Sequence, residues 1–273
     1  MNDNLGKSIR LNHLFKDGRM VAIMMDHSIA RGILPGLVDI KQTIKKVKDG
    51  NPDAISILKG IADKCFDPQP NDQTALIIKA SNPSPYNKHY AAIIGSVEDA
   101  LKCGADAIAV GCVIGGAQQA KGLEQAAKIT SEAAAWGLPV IGHFYPRGEF
   151  ISEDEQENWE NVAYAARVGA EIGVDIMKIH HSGKIDELEK IVKAVPTKVV
   201  LAGGGSGQGI KHYFQMARNI CDVGGAGVAF GRAVWNFEDP VAFIKALKLI
   251  VHENASVQEA IEFLEETLGK RLA

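Results

Sequence analysis

The sequence lacks the features that mark several classes of protein. Its four cysteines form no C-x-x-C pair, which argues against a zinc or redox motif. No apolar run reaches the roughly 18 residues of a membrane helix, and the N-terminal segment MNDNLGKSIR has no apolar stretch of a secretory signal. We therefore expect reduced thiols and a cytoplasmic protein that does not act at a membrane.

A basic surplus is missing as well. The chain has 30 Lys and Arg against 33 Asp and Glu, which gives a net charge of -3 over 273 residues. This balance argues against a general nucleic-acid binder. Hydrophobic residues make up 46% and charged residues 23%, which is usual for a globular protein and excludes a disordered chain.

What is present is a regular alternation of apolar runs and helical patterns. Eight runs rich in Val, Ile and Ala are nearly continuous in apolarity, which is typical of parallel strands buried on both faces. The runs cover 20–27, 54–59, 75–80, 105–113, 138–145, 174–181, 198–204 and 226–232. Helical patterns cover 39–50, 96–104, 122–137, 152–173, 184–195, 208–224, 239–253 and 256–270, and the Pro-, Asn- and Tyr-rich segment 81–95 is expected to be a loop.

Eight successive β-then-α units predict the α/β class and a single (β/α)8 TIM barrel over 1–273. The alternative is a doubly wound open sheet, which usually carries a G-x-G-x-x-G turn after its first strand. Here the first strand ends in MMDHSIARG, without that turn.

In a TIM barrel the active site lies at the carboxyl ends of the strands, so the strand ends supply the candidate residues. They are Asp26, His27, Lys59, Lys79, Cys112, His143, Tyr145, Arg147, Lys178, His180, His181, Gly203, Gly204, Gly205, Ser206, Gly231 and Arg232.

The seventh and eighth strand ends predict a phosphate site. Glycines such as Gly203, Gly204 and Gly231 let an anion approach backbone N–H groups, and Arg232 adds a charge-assisted partner. The simpler interpretation is that these glycines only make turns. Two such loops on adjacent strands favour phosphate.

Lys178 lies inside an apolar strand, where desolvation lowers the pKa of an amine and makes it a nucleophile toward carbonyls. The alternative is a structural lysine paired with Asp26 or Asp175. Lys59 and Lys79 also end strands, so the pattern alone does not choose among the three lysines.

Tyr145 and Asp26 are the candidates for proton transfer. A phenol near a cationic lysine has a lowered pKa, and a carboxylate at a strand end orients substrate hydroxyls. The alternatives are a packed aromatic ring for Tyr145 and a helix cap or ion pair for Asp26.

The histidines and one cysteine allow a metal hypothesis. If His27, His143, His180, His181 and Cys112 converged, they would offer ligands for zinc. They come from different strands without a tight ligand motif, so a site without metal or other cofactor is favoured.

Five motifs resemble one family when taken in order: MMDHS, FYPRG, MKI, AGGG and GRAVWN, spread from about Asp26 to Trp235. Together they are similar to the archaeal-type class I fructose-bisphosphate aldolases, part of a Schiff-base group that includes deoxyribose-phosphate aldolase-like barrels. The resemblance implies that Lys178 forms the Schiff base, that Tyr145 transfers protons and that Asp26 contacts substrate hydroxyls.

The resemblance also implies that Gly203, Gly204, Gly231 and Arg232 bind phosphate, and Arg147 and His27 join the substrate site. Three positions differ from the family pattern. His143 stands where Trp is usual, His180-His181-Ser182-Gly183 replaces Lys-Tyr-Thr-Gly after the lysine, and Ser28 replaces a glycine.

The expected activity is reversible cleavage of fructose 1,6-bisphosphate by a cytoplasmic homo-oligomer. The alternative within the family is 2-amino-3,7-dideoxy-D-threo-hept-6-ulosonate synthase, which is transaldolase-like, or a related phospho-sugar aldolase or thiolase. The alternative of another class is a non-catalytic phosphate-binding barrel. The apolar stripe of Ile261, Leu264 and Leu268 is expected either to join subunits or to close the bottom of the barrel.

Overall fold

The structure is a computed structural model, which describes residues 4–70, 72–180, 183–205 and 207–272. Within these ranges eight parallel strands close into a barrel, as predicted. They are β1 (Met20–Met24), β2 (Ala54–Ile57), β3 (Ala75–Lys79), β6 (Ala107–Ile114), β7 (Val140–Pro146), β8 (Ile176–Ile179), β9 (Lys198–Ala202) and β10 (Gly227–Phe230), and β4 (Ser81–Ser84) and β5 (Asn87–Ile93) form a separate hairpin. The barrel order is β1-β10-β9-β8-β7-β6-β3-β2. Each predicted strand therefore pairs with the strands predicted before and after it along the chain, and the first pairs with the last.

The helices surround the barrel. They are α1 (Leu5–Leu14), α2 (Ser28–Arg31), α3 (Ile40–Asp49), α4 (Lys59–Cys65), α5 (Val97–Lys102), α6 (Gln119–Ala135), α7 (Trp159–Glu171), α8 (Ile185–Ala194), α9 (Ile210–Asp222), α10 (Arg232–Trp235), α11 (Pro240–Glu253) and α12 (Val257–Leu268), with short 3-10 turns at Pro35–Leu37 and Glu153–Glu155. Local signals set several helix starts: Ser96 and Asp99 form a capping box, and Asp239 accepts from the backbone N–H of Ala242 at 3.0 Å. No helix among the described residues is long and apolar enough to cross a membrane.

Two predicted segments differ from the structure. The segment 81–95 is mostly a β-hairpin rather than a loop. Pro83 is compatible with the hairpin because it lies at a register shift between Asn82 and Ser84, where a strand tolerates the missing backbone N–H. The helix predicted over 152–173 begins only at Trp159. Asn158 supplies its cap, since its side chain accepts from the N–H of Glu160 at 2.9 Å.

The barrel has two apolar layers, one between strands and helices and one inside the lumen. Small side chains dominate the inner layer, including Ala22, Ala54, Ala75, Ala107, Ala109 and Ala229. Alternate residues of each strand point into the barrel. Because these inward-pointing residues are alanines, they leave space in the lumen on the side toward the carboxyl ends of the strands. The space is filled by long polar side chains nearer the carboxyl ends.

The bottom of the barrel is closed by α1 rather than by the C-terminal helix. Lys7 binds Asp175 at 2.7 Å, Arg10 donates to the carbonyl of Gly137 at 3.0 Å, and Leu14 is fully buried in the inner layer. The stripe on α12 instead packs against α9 and α11, with Leu264 fully buried. The stripe therefore completes the outer layer of the same chain, and the homo-oligomer stays a prediction.

Candidate active site

A cavity of about 580 Å³ opens at the carboxyl ends of the barrel strands. That volume suits a small phosphorylated metabolite. The structure brings together most of the strand-end residues considered above: its lining includes Asp26, His27, Lys79, His143, Tyr145, Arg147, Lys178, His180, Gly203, Gly204, Gly231 and Arg232. Ser206 and His181 lie outside the described residues.

Two lysines point into this cavity. Lys79 at the end of β3 is only 4% exposed, and Lys178 on β8 is partly buried. Desolvation lowers the pKa of Lys178 to about 8 and that of Lys79 to about 7, although the carboxylate of Asp26 opposes the shift in both. Asp175 is not the partner of Lys178, because it binds Lys7 below the barrel.

Lys59 and Cys112 do not belong to the site, contrary to their position in the predicted strand ends. Lys59 begins α4 outside the lumen, where its amine binds Asp99 at 2.7 Å. Cys112 points outward toward α6, since a Cβ added at Gly122 would lie 2.9 Å from its Sγ. Alternation along β6 puts Gly111, not Cys112, on the inner face. Cys112 still borders the cavity, but its sulfur faces the helix layer.

Asp26 sits at the mouth of β1 and is 7% exposed. It does not cap α2, whose N-cap is His27 without a side-chain hydrogen bond. Its carboxylate Oδ1 lies 3.7 Å from Nδ1 of His27, and its backbone carbonyl accepts from Asn82 Nδ2 at 3.1 Å. The carboxylate therefore faces the cavity, available to both lysines.

His27, His143 and His180 are neutral in this site. Burial lowers the pKa of His27 to about 4 and those of His143 and His180 well below the usual value. Nearby cations deepen the effect, with Lys79 the largest charge acting on His143 and Arg147 on His180. Neutral imidazoles act here as hydrogen-bond partners rather than as charges.

Tyr145 lies beside His180 and Arg147. Its ring centroid is 4.5 Å from that of His180, and the Arg147 guanidinium carbon is 5.0 Å from the Tyr145 ring centroid. Nη2 of Arg147 donates to Nε2 of His180 at 2.8 Å, so the proton of His180 resides on Nδ1. The expected lowering of the Tyr145 pKa is wrong: desolvation raises it and outweighs the opposing effect of Arg147.

His143 is one of the buried polar side chains of the site. It is 7% exposed, and its Nε2 has no hydrogen-bond partner within the described residues. The ring lies 6.2 Å from that of Tyr145. A buried imidazole nitrogen without a partner is costly, so we expect a substrate hydroxyl or a water to satisfy it.

The glycines of the two loops are required for different structural reasons. A Cβ at Gly231 would lie 2.7 Å from the carbonyl oxygen of Met24 and 2.8 Å from Cε1 of His27, so only glycine fits there. Gly204 has φ of +66° with open space around it, which leaves its backbone accessible to a ligand. Nη2 of Arg232 donates to the Gly204 carbonyl at 2.8 Å, which links the two loops.

Sequence reasoning missed the residues that approach from outside the barrel strands. The β4–β5 hairpin adds Asn82 and His89, whose Nδ1 lies 2.9 Å from the carbonyl oxygen of Arg147. Arg31 on α2 repels both Arg147 and Arg232. The Pro- and Asn-rich composition of 81–95 is typical of a loop, so it did not predict the hairpin. No local sequence pattern predicts that Arg31 lies at the cavity.

The geometry does not assemble the metal site considered above. Over 4–70, 72–180, 183–205 and 207–272, no group of three or more His, Cys, Asp or Glu side chains could hold a metal ion. Among the candidate ligands, Cys112 points outward and His180 is paired with Arg147, while His27 and His143 line the cavity and His181 lies outside the described residues.

Comparison with known proteins gives a consistent set of relatives. A family model described as DeoC/LacD family aldolase matches residues 20–236. The 2-amino-3,7-dideoxy-D-threo-hept-6-ulosonate synthase of Halobacterium salinarum is 32% identical over 257 residues, 94% of this chain and 95% of that protein. The corresponding synthase 1 of Archaeoglobus fulgidus is 34% identical over 264 residues, 95% of this chain and 96% of that protein.

The similarity extends to three-dimensional structure. A solved archaeal fructose-1,6-bisphosphate aldolase, with its catalytic lysine covalently bound to the carbinolamine intermediate, superimposes with a TM-score of 0.82 and 26% identity. The match covers 90% of this chain and 99% of that one. A fructose-bisphosphate aldolase from Slackia heliotrinireducens, at 21% identity, shares the fold with a TM-score of 0.85, over 98% of this chain and 92% of that one.

Proposed function

The chain belongs to the DeoC/LacD family of aldolases, which makes it a carbon–carbon lyase, and we propose that Lys178 forms the Schiff base through which it works. One observation carries the proposal: the Lys178 amine projects from an apolar strand into a closed-ended cavity, with cations around it and a pKa of about 8. At pH 7 about a tenth of such an amine is neutral, far more than for an ordinary lysine, and neutral amines attack carbonyls.

The reaction begins with attack of Lys178 Nζ on the ketone of a phosphorylated ketose. Loss of water gives an iminium ion, into which the electrons of the neighbouring carbon–carbon bond flow as the bond breaks. Asp26 faces this position and orients the substrate hydroxyls. The positive nitrogen accepts the electrons, so the step itself needs no metal ion.

Tyr145 has a role that follows from its raised pKa. The phenol stays protonated at neutral pH, so in the bond-forming direction it donates its proton to the carbonyl oxygen of the acceptor aldehyde, which becomes the new hydroxyl. In cleavage the phenolate takes the proton back from that hydroxyl as the carbon–carbon bond breaks. Its contact with Arg147 stabilises charge that develops on the phenol oxygen. A group in this position contributes about 10²–10⁴-fold to the rate.

The phosphate of the substrate binds at the linked glycine loops. Gly203, Gly204 and Gly231 offer backbone close to the cavity, and Arg232 adds a charge. Binding at this end fixes the ketone relative to Lys178. Arg147, which follows β7, and His27, which follows β1, contact the remainder of the substrate.

Between the two reactions of this chemistry, we favour the transaldolase-like one. Relatives at 32% and 34% identity bear the name 2-amino-3,7-dideoxy-D-threo-hept-6-ulosonate synthase, whereas the archaeal fructose-1,6-bisphosphate aldolase is 26% identical. His143 lies where the fructose-bisphosphate aldolases usually carry Trp, so this part of the cavity wall is more polar here. Cleavage of fructose 1,6-bisphosphate is the second candidate.

The test is borohydride trapping with dihydroxyacetone phosphate, read by intact mass and peptide mapping. We expect a reduced adduct on Lys178 and none in Lys178→Met, with Lys59→Met as the matched control because Lys59 lies outside the cavity. An adduct on Lys79 would reassign the nucleophile, and no adduct on the folded enzyme would refute the proposal.

A second experiment separates the two reactions. Fructose 1,6-bisphosphate is supplied alone or together with an amino-acid-derived aldehyde as acceptor. The transfer reaction predicts a product in which a new carbon–carbon bond joins part of the ketose to the acceptor, and this product forms only when the acceptor is present. Rapid release of glyceraldehyde 3-phosphate without acceptor would instead identify the cleavage reaction.

A further inference from the structure

One buried lysine has no place in the mechanism given above. Lys79 projects from β3 into the lumen, and no described residue gives its ammonium a hydrogen bond or salt bridge. The neighbouring strand β6 leaves room for it, since a Cβ at Gly111 would lie 3.3 Å from its Nζ. An apolar side chain would fill the same space at a lower desolvation cost. We therefore expect the amine of Lys79 to have a function.

The charges that face the two lysines are unbalanced. Asp26 is the one carboxylate with a marked effect on either amine within the described ranges. The cations that act on them are Arg31, Arg147 and Arg232, besides the two lysines themselves, and His27, His143 and His180 are neutral. The cavity therefore accommodates movement of a positive charge more readily than addition of one.

We propose that Lys79 is a second catalytic lysine, whose ammonium donates the proton with which water leaves the carbinolamine on Lys178. This role rests on the proposed Schiff base. The carbon–oxygen bond of the carbinolamine breaks, the departing hydroxyl takes the Lys79 proton and leaves as water, and the Lys178 lone pair forms the carbon–nitrogen double bond.

The step conserves charge in the cavity. Before it the cation is the Lys79 ammonium, and after it the cation is the iminium on Lys178. Asp26 faces both nitrogens and stabilises the cation at either position. In hydrolysis of the product iminium, the attacking water gives one of its protons to the Lys79 amine, which restores the ammonium.

Other groups of the site suit this step less well. Burial makes Tyr145 a weaker acid than an ordinary phenol, and the neutral histidines beside the lysines hold no readily released extra proton. The Lys79 ammonium is the more acidic donor, because burial and its proximity to Lys178 favour loss of its proton.

The test uses Lys79→Met and Lys79→Arg in the full-length enzyme, with Lys59→Met as the control for a lysine outside the cavity. Dihydroxyacetone phosphate labelled with ¹³C at its carbonyl is the probe. NMR distinguishes the tetrahedral carbinolamine carbon from the planar iminium carbon, and borohydride reduces only the iminium.

We expect wild type and Lys59→Met to form the iminium rapidly, with the adduct on Lys178. Lys79→Met is expected to accumulate the carbinolamine and to be trapped about 10²-fold more slowly, the lower end of the range for lost general-acid catalysis. Lys79→Arg keeps the positive charge but does not give up a proton near neutral pH, so it is expected to behave like Lys79→Met.

Three results would overturn the assignment. Normal iminium formation in Lys79→Met would show that the proton comes from elsewhere, and rescue by Arg would show that the charge alone matters. Absence of any adduct in folded wild type would refute the Schiff base itself, and the role of Lys79 with it. Circular dichroism establishes folding, and Lys79→Gln gives a second neutral variant if Lys79→Met does not fold.

Discussion

Replacing the proposed nucleophile should stabilise the protein while it abolishes activity. Lys178 holds its charge in the lumen, where its pKa falls from 10.5 to about 8. A tenfold change in proton affinity is worth about 1.4 kcal/mol, so the charged form costs the folded state about 3 kcal/mol at pH 7. Water in the cavity screens part of this cost, and we expect Lys178→Met to gain about 2 kcal/mol in unfolding free energy.

The sign of the pH dependence is specific. Below pH 8 the lysine is protonated in both states, so the folded state bears the whole cost. As the pH rises from 8 toward 10.5, the folded state loses its proton first and the cost disappears. The advantage of Lys178→Met should therefore fall below about 1 kcal/mol at pH 10.

Urea denaturation at pH 7 and pH 10 measures both values. Lys59→Met is the control, because its exposed salt bridge to Asp99 contributes at most about 1 kcal/mol and its loss is destabilising. A Lys178→Met protein that is no more stable than wild type at pH 7 would refute the electrostatic reasoning. An equal gain at both pH values would assign the effect to packing instead.

Four further outcomes are expected. Tyr145→Phe should retain the trapped adduct but lose about 10²–10⁴-fold in turnover, and unchanged turnover would remove Tyr145 from the mechanism. Arg232→Met should raise KM for a phosphorylated substrate by about 10–100-fold, in proportion to a lost charged hydrogen bond, with little effect on unphosphorylated dihydroxyacetone; equal effects on both would argue against a phosphate contact. Gly231→Ala should lower Tm, because its Cβ would lie 2.7 Å from a backbone oxygen, and an unchanged Tm would mean that the loop relaxes. Prolonged dialysis against a chelator should leave turnover unchanged, and a loss restored by zinc would revive the metal hypothesis.

Local patterns along the chain are enough to predict the barrel. Apolar runs of six to nine residues, separated by capped helices, predicted all eight barrel strands, because strands buried on both faces must be apolar throughout. It also located the mouth of the barrel, since the carboxyl ends of parallel strands meet at one edge. Capping signals such as Ser96 with Asp99 worked because they act between neighbours in the chain.

Which strand-end side chains face the cavity depends on how the closed barrel orients each strand. Lys59 and Lys79 look alike in sequence, yet Lys59 begins a helix outside and Lys79 points inward, because a run buried on both faces carries no mark of its inner side. The inward position of Gly111 in place of Cys112 has the same cause. The raised pKa of Tyr145 and the approach of Arg31 depend on burial and on contacts between distant segments, which local patterns do not encode.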